Sequence, residues 1–277
     1  DFDYYFRRAH LHAVELLKSG DLDGALAALQ AAVRGDAANA NLRIFLFQLL
    51  CVRGEWTRAV AQLKVSAELD PAAIPMAQTY REGIICEVYR DKVFAGEKEP
   101  LIFGEPQEWV ALMIEALKLT AADQPAKAAE VRAKAFEAAP AVSGTLDGEA
   151  FDWIADADMR LGPLLETVVN GKYYWMPFSA IQTLTFEDPA DLRDAVWTPA
   201  TIKVASGGEV VALIPTRYPR TAETGTDAQK LARATDWTDI GTDTHAGVGQ
   251  RLFATNMGDK ALMDIRSIVI DAGATDV

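Results

Sequence analysis

Cysteine, histidine and runs of basic residues are scarce in this chain, and each scarcity excludes a class of function. The two cysteines, Cys51 and Cys86, lie 35 positions apart inside apolar segments. That spacing matches neither a disulfide framework nor a zinc site. We therefore expect both thiols to be small core residues of a protein from a reducing compartment.

Clustered positive charge is also absent from the sequence. The 27 basic and 40 acidic residues give a formal net charge of −13, and no run of Lys and Arg interrupts the acidic balance. A nucleic-acid backbone or an anionic membrane would be repelled, so we expect neither as a partner. The longest apolar stretch, Leu42 to Val52, contains two polar residues and is far shorter than a membrane span. The acidity suits a neutral or basic partner, although it also serves solubility alone.

Signatures of catalysis and of cofactor binding are missing as well. Of the three histidines, His10 and His12 fall in a helical segment, and His245 has no cysteine nucleophile nearby. No Gly-x-Ser-x-Gly elbow occurs. We predict no catalytic residue, no cofactor and no enzymatic activity, while a Ser-His-Asp triad assembled in space stays open.

The acidic stretch from Asp147 to Asp158 resembles a calcium loop only in composition. Aromatic and aliphatic residues interrupt the ligand positions of an EF-hand, and no central glycine is present. We therefore predict no metal site, and we expect the acids to face water or to pair with Arg160.

An internal repeat of 34 residues is the strongest positive feature of the sequence. It relates Gly20-Asp21 to Gly54-Glu55, Ala25 to Ala59, Leu29 to Leu63 and Asp36-Ala37 to Asp70-Pro71. The period is that of the tetratricopeptide helix-turn-helix unit. Gly20 and Gly54 stand where the first helix of such a unit ends in a left-handed residue.

Further helices are predicted over Pro75 to Phe94, Glu108 to Thr120 and Ala126 to Ala139, the last two forming a degenerate third unit. A stacked array of this kind has a concave face that binds segments of other proteins. The residues that we expect to line it are His10, Val14, Asn41, Ile44, Gln48 and Tyr80. In the alternative, the array only supports a second domain, and Val14 and Ile44 are buried.

The second half of the chain has a different amino-acid composition. Gly, Pro, Thr and Trp replace the alanine-rich helical pattern after Pro140, so we place two domains at 1–142 and 143–277. Strands are predicted at Lys172 to Pro177, Ile181 to Phe186, Thr201 to Val204, Val210 to Ile214, Gln250 to Thr255 and Ala261 to Ile270, with a hairpin around Gly207-Gly208. The predicted fold class is α+β, with an N-terminal tetratricopeptide-like α-α superhelix and a small, barrel-like, β-rich C-terminal domain.

Arginine and large aromatic residues in the second half give a second candidate interface, because these residue types dominate interface hot spots. The six residues are Trp197, Arg217, Tyr218, Arg220, Arg233 and Trp237. An internal polar network, with Asp194 and Asp236 as partners, accounts for them equally well.

Blocks of sequence in the second half resemble those of a known family. They are Phe151 to Trp153, Asp156 to Pro163, Leu192 to Asp194 with Trp197 to Pro199, Leu213 to Pro219, Arg233 to Trp237 and Gly247 to Arg251. Together with the helical repeats in front of them, they look like the ImpE family, also called SciE or TagJ, accessory proteins of the bacterial type VI secretion system. The resemblance covers essentially the whole chain.

This resemblance implies a cytoplasmic, non-catalytic adaptor at the contractile sheath. It implies that the chain binds the small sheath subunit through that subunit's N-terminal helical segment, and that it links the sheath to the AAA+ ATPase that recycles it. The alternative function is a small-molecule-binding or hydrolytic C-terminal domain that uses the repeats as a docking arm. A pocket lined by Arg217 and His245 would favour that alternative.

Overall fold

The computed structural model describes residues 2–271, with side chains from residue 10 onward. Asp1 and residues 272–277, at the outer ends of the two predicted domains, lie outside the described residues. The first half is helical, and its helices α1 to α7 are Phe2–Ser19, Leu22–Gly35, Ala40–Val52, Trp56–Leu69, Ile74–Phe94, Glu108–Ala121 and Pro125–Ala138. The three helices that we predicted after the repeat are confirmed to within one residue at each end.

The turns between paired helices follow from the repeat. Gly20 and Gly54 have φ angles of +83° and +74°, in the left-handed region that glycine adopts without a Cβ clash. The side chain of Asp21 accepts from the Gly24 amide at the start of α2, and Asn39 caps α3 in the same way. The tetratricopeptide-like organisation of this half is confirmed.

The second half is built mainly of strands, and one further strand comes from within the helical half. Strands β1 to β14 are Leu101–Ile102, Gly144–Leu146, Glu149–Phe151, Ile154–Asp156, Leu164–Val169, Lys172–Pro177, Ile181–Phe186, Trp197–Val204, Glu209–Pro215, Thr235–Asp239, His245–Gly249, Leu252–Thr255, Gly258–Ala261 and Ser267–Ile270. Two four-residue helices, α8 (Thr221–Thr224) and α9 (Asp227–Lys230), lie between β9 and β10.

Within the described residues, nine strands form one sheet in the order β1-β6-β5-β9-β8-β7-β14-β2-β3. β1 pairs with β6 in parallel, and the other neighbours pair antiparallel. A second sheet places β12 between β13 and β4, and β10 pairs with β11. The α+β class is confirmed; in place of a closed barrel, the main sheet is open, with β1 and β3 at its edges.

The strand predictions succeed where a turn signal is local. The hairpin around Gly207-Gly208 is formed by β8 and β9. The prediction of one strand from Ala261 to Ile270 is wrong, because a 3-10 turn at Leu262–Asp264 breaks it. The residues before that turn pair back onto β12, and β14 begins only afterwards.

A shared hydrophobic core joins the two halves. Residues of α3 and α5 pack with Trp175 from β6 and Trp197 from β8, both fully buried. A second core lies inside the β-rich half, where the rings of Phe178 and Phe253 meet edge to face. Because β1 also lies in the sheet, the contact between the halves extends far beyond the linker between α7 and β2.

Candidate functional site

The face that α3 and α5 present to the second half is covered by the chain itself. A 3-10 turn at Leu192–Ala195 packs on α3, and the Trp197 ring lies 5.7 Å from the ring of Tyr80, centroid to centroid. Arg193 places its guanidinium 4.6 Å from the same tyrosine ring. Tyr80 and Gln48 are only 7% and 6% exposed. The expectation that these two side chains line an open groove is therefore wrong, because this part of the face is sealed.

The other four predicted groove residues lie on α1 and α3. His10 and Asn41 are exposed, and the His10 ring centroid is 5.1 Å from that of Phe45. Val14 and Ile44 are half-buried, and Ile44 packs against the shared core. These four residues are at least partly exposed at the surface, and their role in binding stays a prediction.

The structure divides the six residues of the second candidate interface into a buried and an exposed set. The buried set is Trp197, Arg217 and Tyr218. The exposed set is Arg220, Arg233 and Trp237. The buried three do not belong to a free surface. Trp197 and Arg217 contact the helical half, and Tyr218 bonds to Asp156 and Leu252 inside the second half. The predicted partners also differ, since Asp194 caps the 3-10 turn and Asp236 accepts from Gln229.

Arg217 connects the second half to the end of helix α3. Its guanidinium donates to the carbonyl oxygens of Val52 at 2.7 Å and Lys230 at 2.6 Å. Val52 is the last residue of α3, where unpaired carbonyls and the helix dipole favour a positive charge. Burial lowers the pKa of Arg217 to about 10. The residue thus acts as a helix cap supplied by the other half of the molecule.

A buried ion network lies between α5 and the sheet. Glu166 on β5 accepts from Nε and Nη2 of Arg90, at 2.6 and 2.7 Å, and also from Arg251. Arg251 pairs in turn with Asp156, and Glu87 lies 3.4 Å from Arg90. All five residues are buried. Because Arg90 and Glu87 belong to α5, the network ties the helical array to the β-rich half.

The two central carboxylates of this network have opposite pKa shifts. Burial alone would raise the pKa of Glu166, but the guanidiniums of Arg90 and Arg251 overcome it and lower the pKa to about 2. Burial raises the pKa of Asp156 to about 7 despite Arg251, and the neighbouring Asp158 carboxylate adds to the rise. Glu166 is therefore the firmly ionised centre of the network.

Three of the blocks that resemble the ImpE family meet beside the network. Asp158 pairs with Arg160 and accepts from the Gly247 amide at 2.8 Å, and the Tyr218 hydroxyl donates to Asp156 at 3.1 Å. The expected pairing with Arg160 is confirmed. The expectation that the acids face water or pair with Arg160 is wrong for Asp156, which is only 3% exposed and pairs with Arg251.

Our sequence interpretation missed Glu87, Arg90 and Glu166. Glu166 stands in a strand whose six residues are all buried, and Glu87 and Arg90 lie on the buried side of α5. A charged residue at a core position of an apolar pattern was the available signal, because such residues are buried only when they are paired.

An open groove runs between α4 and α5. Its volume is 870 Å³, and its apolar lining includes Val60, Leu63 and Ala67 from α4 and Ile74 and Ile85 from α5. The two isoleucines are 48% and 56% exposed. Adjoining exposed apolar side chains with a charged rim are typical of protein-binding surfaces. The groove is the best candidate for such a surface, although our sequence analysis did not select it.

Other kinds of site receive less support. Among the residues that the structure describes, no group of three His, Cys, Asp or Glu side chains is placed to hold a metal ion. The cavity beside Arg217 has a volume of only 50 Å³, and His245 lies elsewhere, exposed on β11.

A helix that crosses a bilayer must be long and predominantly apolar. None of the helices in the described part of the chain combines the length and the apolar character needed to cross a bilayer.

The fold and the groove define a helical-repeat protein fused to a β-rich domain. A tetratricopeptide repeat model matches residues 16–79, and the ImpE protein model matches residues 148–269. The type VI secretion system accessory component TagJ of Pseudomonas aeruginosa is 52% identical over 256 residues, which cover 92% of this chain and 90% of TagJ. The chain belongs to the ImpE family of type VI secretion accessory proteins.

A solved structure shares the whole architecture. The crystal structure of protein VPA1032 from Vibrio parahaemolyticus matches with a TM-score of 0.85 and 25% sequence identity, covering 94% of this chain and 97% of that one.

Proposed function

We propose that this chain is a cytoplasmic, non-catalytic adaptor of type VI secretion. It binds the N-terminal helical segment of the small sheath subunit and links the sheath to the AAA+ ATPase that recycles it. Its family and its identity to TagJ support a role in this system. The acidic balance, with a formal net charge of −13, suits a protein partner better than nucleic acid or an anionic membrane.

The observation that carries the proposal is the exposed apolar groove between α4 and α5. Amphipathic helices bind proteins by laying their apolar face in a groove of this kind. The groove is formed by two packed helices, so it is present before a partner arrives, and little ordering of the chain opposes binding. The hydrolytic alternative has less support, because Arg217 is buried against α3 and His245 lies apart from it.

The test uses the full chain and purified small sheath subunit, with and without the subunit's N-terminal segment. We expect isothermal titration calorimetry to detect binding of the complete subunit and none of the shortened one. The shortened subunit is the matched control, because the rest of its surface is unchanged. Equal binding of both forms would contradict the proposed partner segment.

The link to the ATPase is tested by adding the ATPase to immobilised chain in the presence and absence of the sheath subunit. We expect the ATPase to be retained with the chain in at least one of these conditions. A failure in both would remove the ATPase from the proposal and leave the sheath contact unaffected.

A further inference from the structure

Helix α5 carries an exposed stripe along one side. The residues of the stripe are Ile74, Gln78, Arg81, Ile85 and Val88, and all five are exposed. Their spacing of four, three, four and three positions places them on one face of the helix. The three apolar members are 48%, 56% and 42% exposed. A face of this kind normally packs against another helix.

The order of elements explains why this face is open. In the first two helix pairs, α2 follows α1 and α4 follows α3 after turns of only a few residues. Helix α5 comes next, where the first helix of a further pair would lie, but a loop and the strand β1 follow it in place of a returning helix. Helices α6 and α7 pack chiefly on one another. The position beside α5 and against α4 is therefore unfilled within the described part of the chain.

The charges in the groove indicate the chemistry of its occupant. Lys64 has an acidic partner on its own helix, Glu68, at 4.0 Å. Glu82 is turned towards Gly171 of the β-rich half. Arg81 lies on the exposed stripe, and no hydrogen bond or ion pair joins it to the residues that the structure describes. An occupant that carries a carboxylate opposite Arg81 would complement the groove.

We propose that the groove receives an amphipathic helix that runs antiparallel to α5, pairs with it as a second helix would, and presents an Asp or Glu to Arg81. The occupant is the N-terminal helical segment of the small sheath subunit, so this inference rests on the proposed function. The antiparallel direction follows from the array, in which each second helix returns along its first. Ile74, Ile85 and Val88 supply the apolar contacts on the α5 side.

The experiment measures the affinity of the full chain for a fluorescent peptide with the sequence of that N-terminal segment, by fluorescence anisotropy. Ile85→Asp and Arg81→Glu are expected to weaken binding about tenfold or more, because each lies at the centre of the contact. Replacing the facing acid of the peptide by Lys is expected to restore binding to the Arg81→Glu variant and to no other variant.

Two control variants match the changes in residue type and exposure. Leu11→Asp changes an exposed apolar residue of α1, and Arg34→Glu changes an exposed arginine of α2. Both are expected to bind the peptide as the unchanged protein does. Circular dichroism checks that the four variants keep their helical content.

The outcomes separate this inference from the proposed function. If the unchanged chain binds the peptide and the two groove variants bind it equally well, the groove is not the site, while the proposed partner stands. A loss of binding in Leu11→Asp alone would place the contact on α1 and overturn the inference. If the unchanged chain binds neither the peptide nor the complete sheath subunit, the proposed function itself fails.

Discussion

Replacing Glu166 by alanine tests whether the buried ion network holds the two halves of the molecule together. Glu166 is fully buried and accepts from two atoms of Arg90, from Arg251 and from the hydroxyl of Tyr173. In Glu166→Ala both guanidiniums lose their central partner. Arg90 keeps only the longer contact to Glu87, at 3.4 Å, and the Arg217 carbonyl.

The expected cost is about 3 to 5 kcal/mol of unfolding free energy, because breaking a buried pair leaves an uncompensated buried charge. With a urea dependence of about 3 kcal/mol per molar for a chain of this size, the urea midpoint is expected to fall by about 1 to 1.7 M. Glu166→Gln keeps one acceptor and the volume, so its midpoint is expected to fall by less.

The assay follows urea unfolding by tryptophan fluorescence and by far-ultraviolet circular dichroism. Tryptophan fluorescence reports on the shared core, and circular dichroism reports mainly on the helices. In the unchanged protein we expect the two transitions to coincide, because the halves share that core. In Glu166→Ala we expect them to separate.

The control variant is Glu223→Gln, which breaks an ion pair with Arg220 at the surface. Both of these side chains are more than half exposed, so the expected change is below about 1 kcal/mol. A midpoint shift in Glu166→Ala no larger than that of Glu223→Gln would refute the reasoning. The network would then contribute nothing measurable to stability.

Three further predictions follow from the same structure. Asp156 has a pKa raised from 3.8 to about 7, so the folded state binds a proton more tightly than the unfolded chain, and this contribution to stability is lost as the pH rises from about 4 to 7. Asp156→Asn removes that dependence. In urea unfolding at pH 4, 5.5 and 7, the midpoint of the variant is therefore expected to rise relative to that of the unchanged protein as the pH rises. A relative midpoint that stays constant or falls would contradict the assignment. Gly247→Ala should cost about 1 to 3 kcal/mol in urea unfolding, because a Cβ there overlaps the Tyr218 ring, whereas Gly35→Ala meets nothing and should leave the midpoint unchanged or slightly raised. Cys51 and Cys86 should resist a thiol reagent in native buffer and react in urea, because burial raises the pKa of both thiols; rapid native labelling would show that the core opens.

The correct predictions rest on residues that are close together in the sequence, and the incorrect ones concern contacts between residues that are far apart in it. The 34-residue repeat predicted the glycine turns, and single proline and glycine residues predicted most helix ends, because these signals depend on neighbouring residues. The prediction failed at Tyr80, which we had placed on the ligand-binding face of a first helix. Here Trp197 and Arg193 cover it, and nothing near Tyr80 in the sequence indicates that.

The sequence by itself determined the helical array, the α+β class and the family, since local spacing and short blocks of residues carry those properties. Only the tertiary structure decided which face of the array stays open and which charged residues are buried together as a network. Glu166 meets Arg90 and Arg251 across 76 and 85 positions of the chain. The physical reason is that burial and ion pairing depend on which segments pack together in space, and that packing is set by the whole chain.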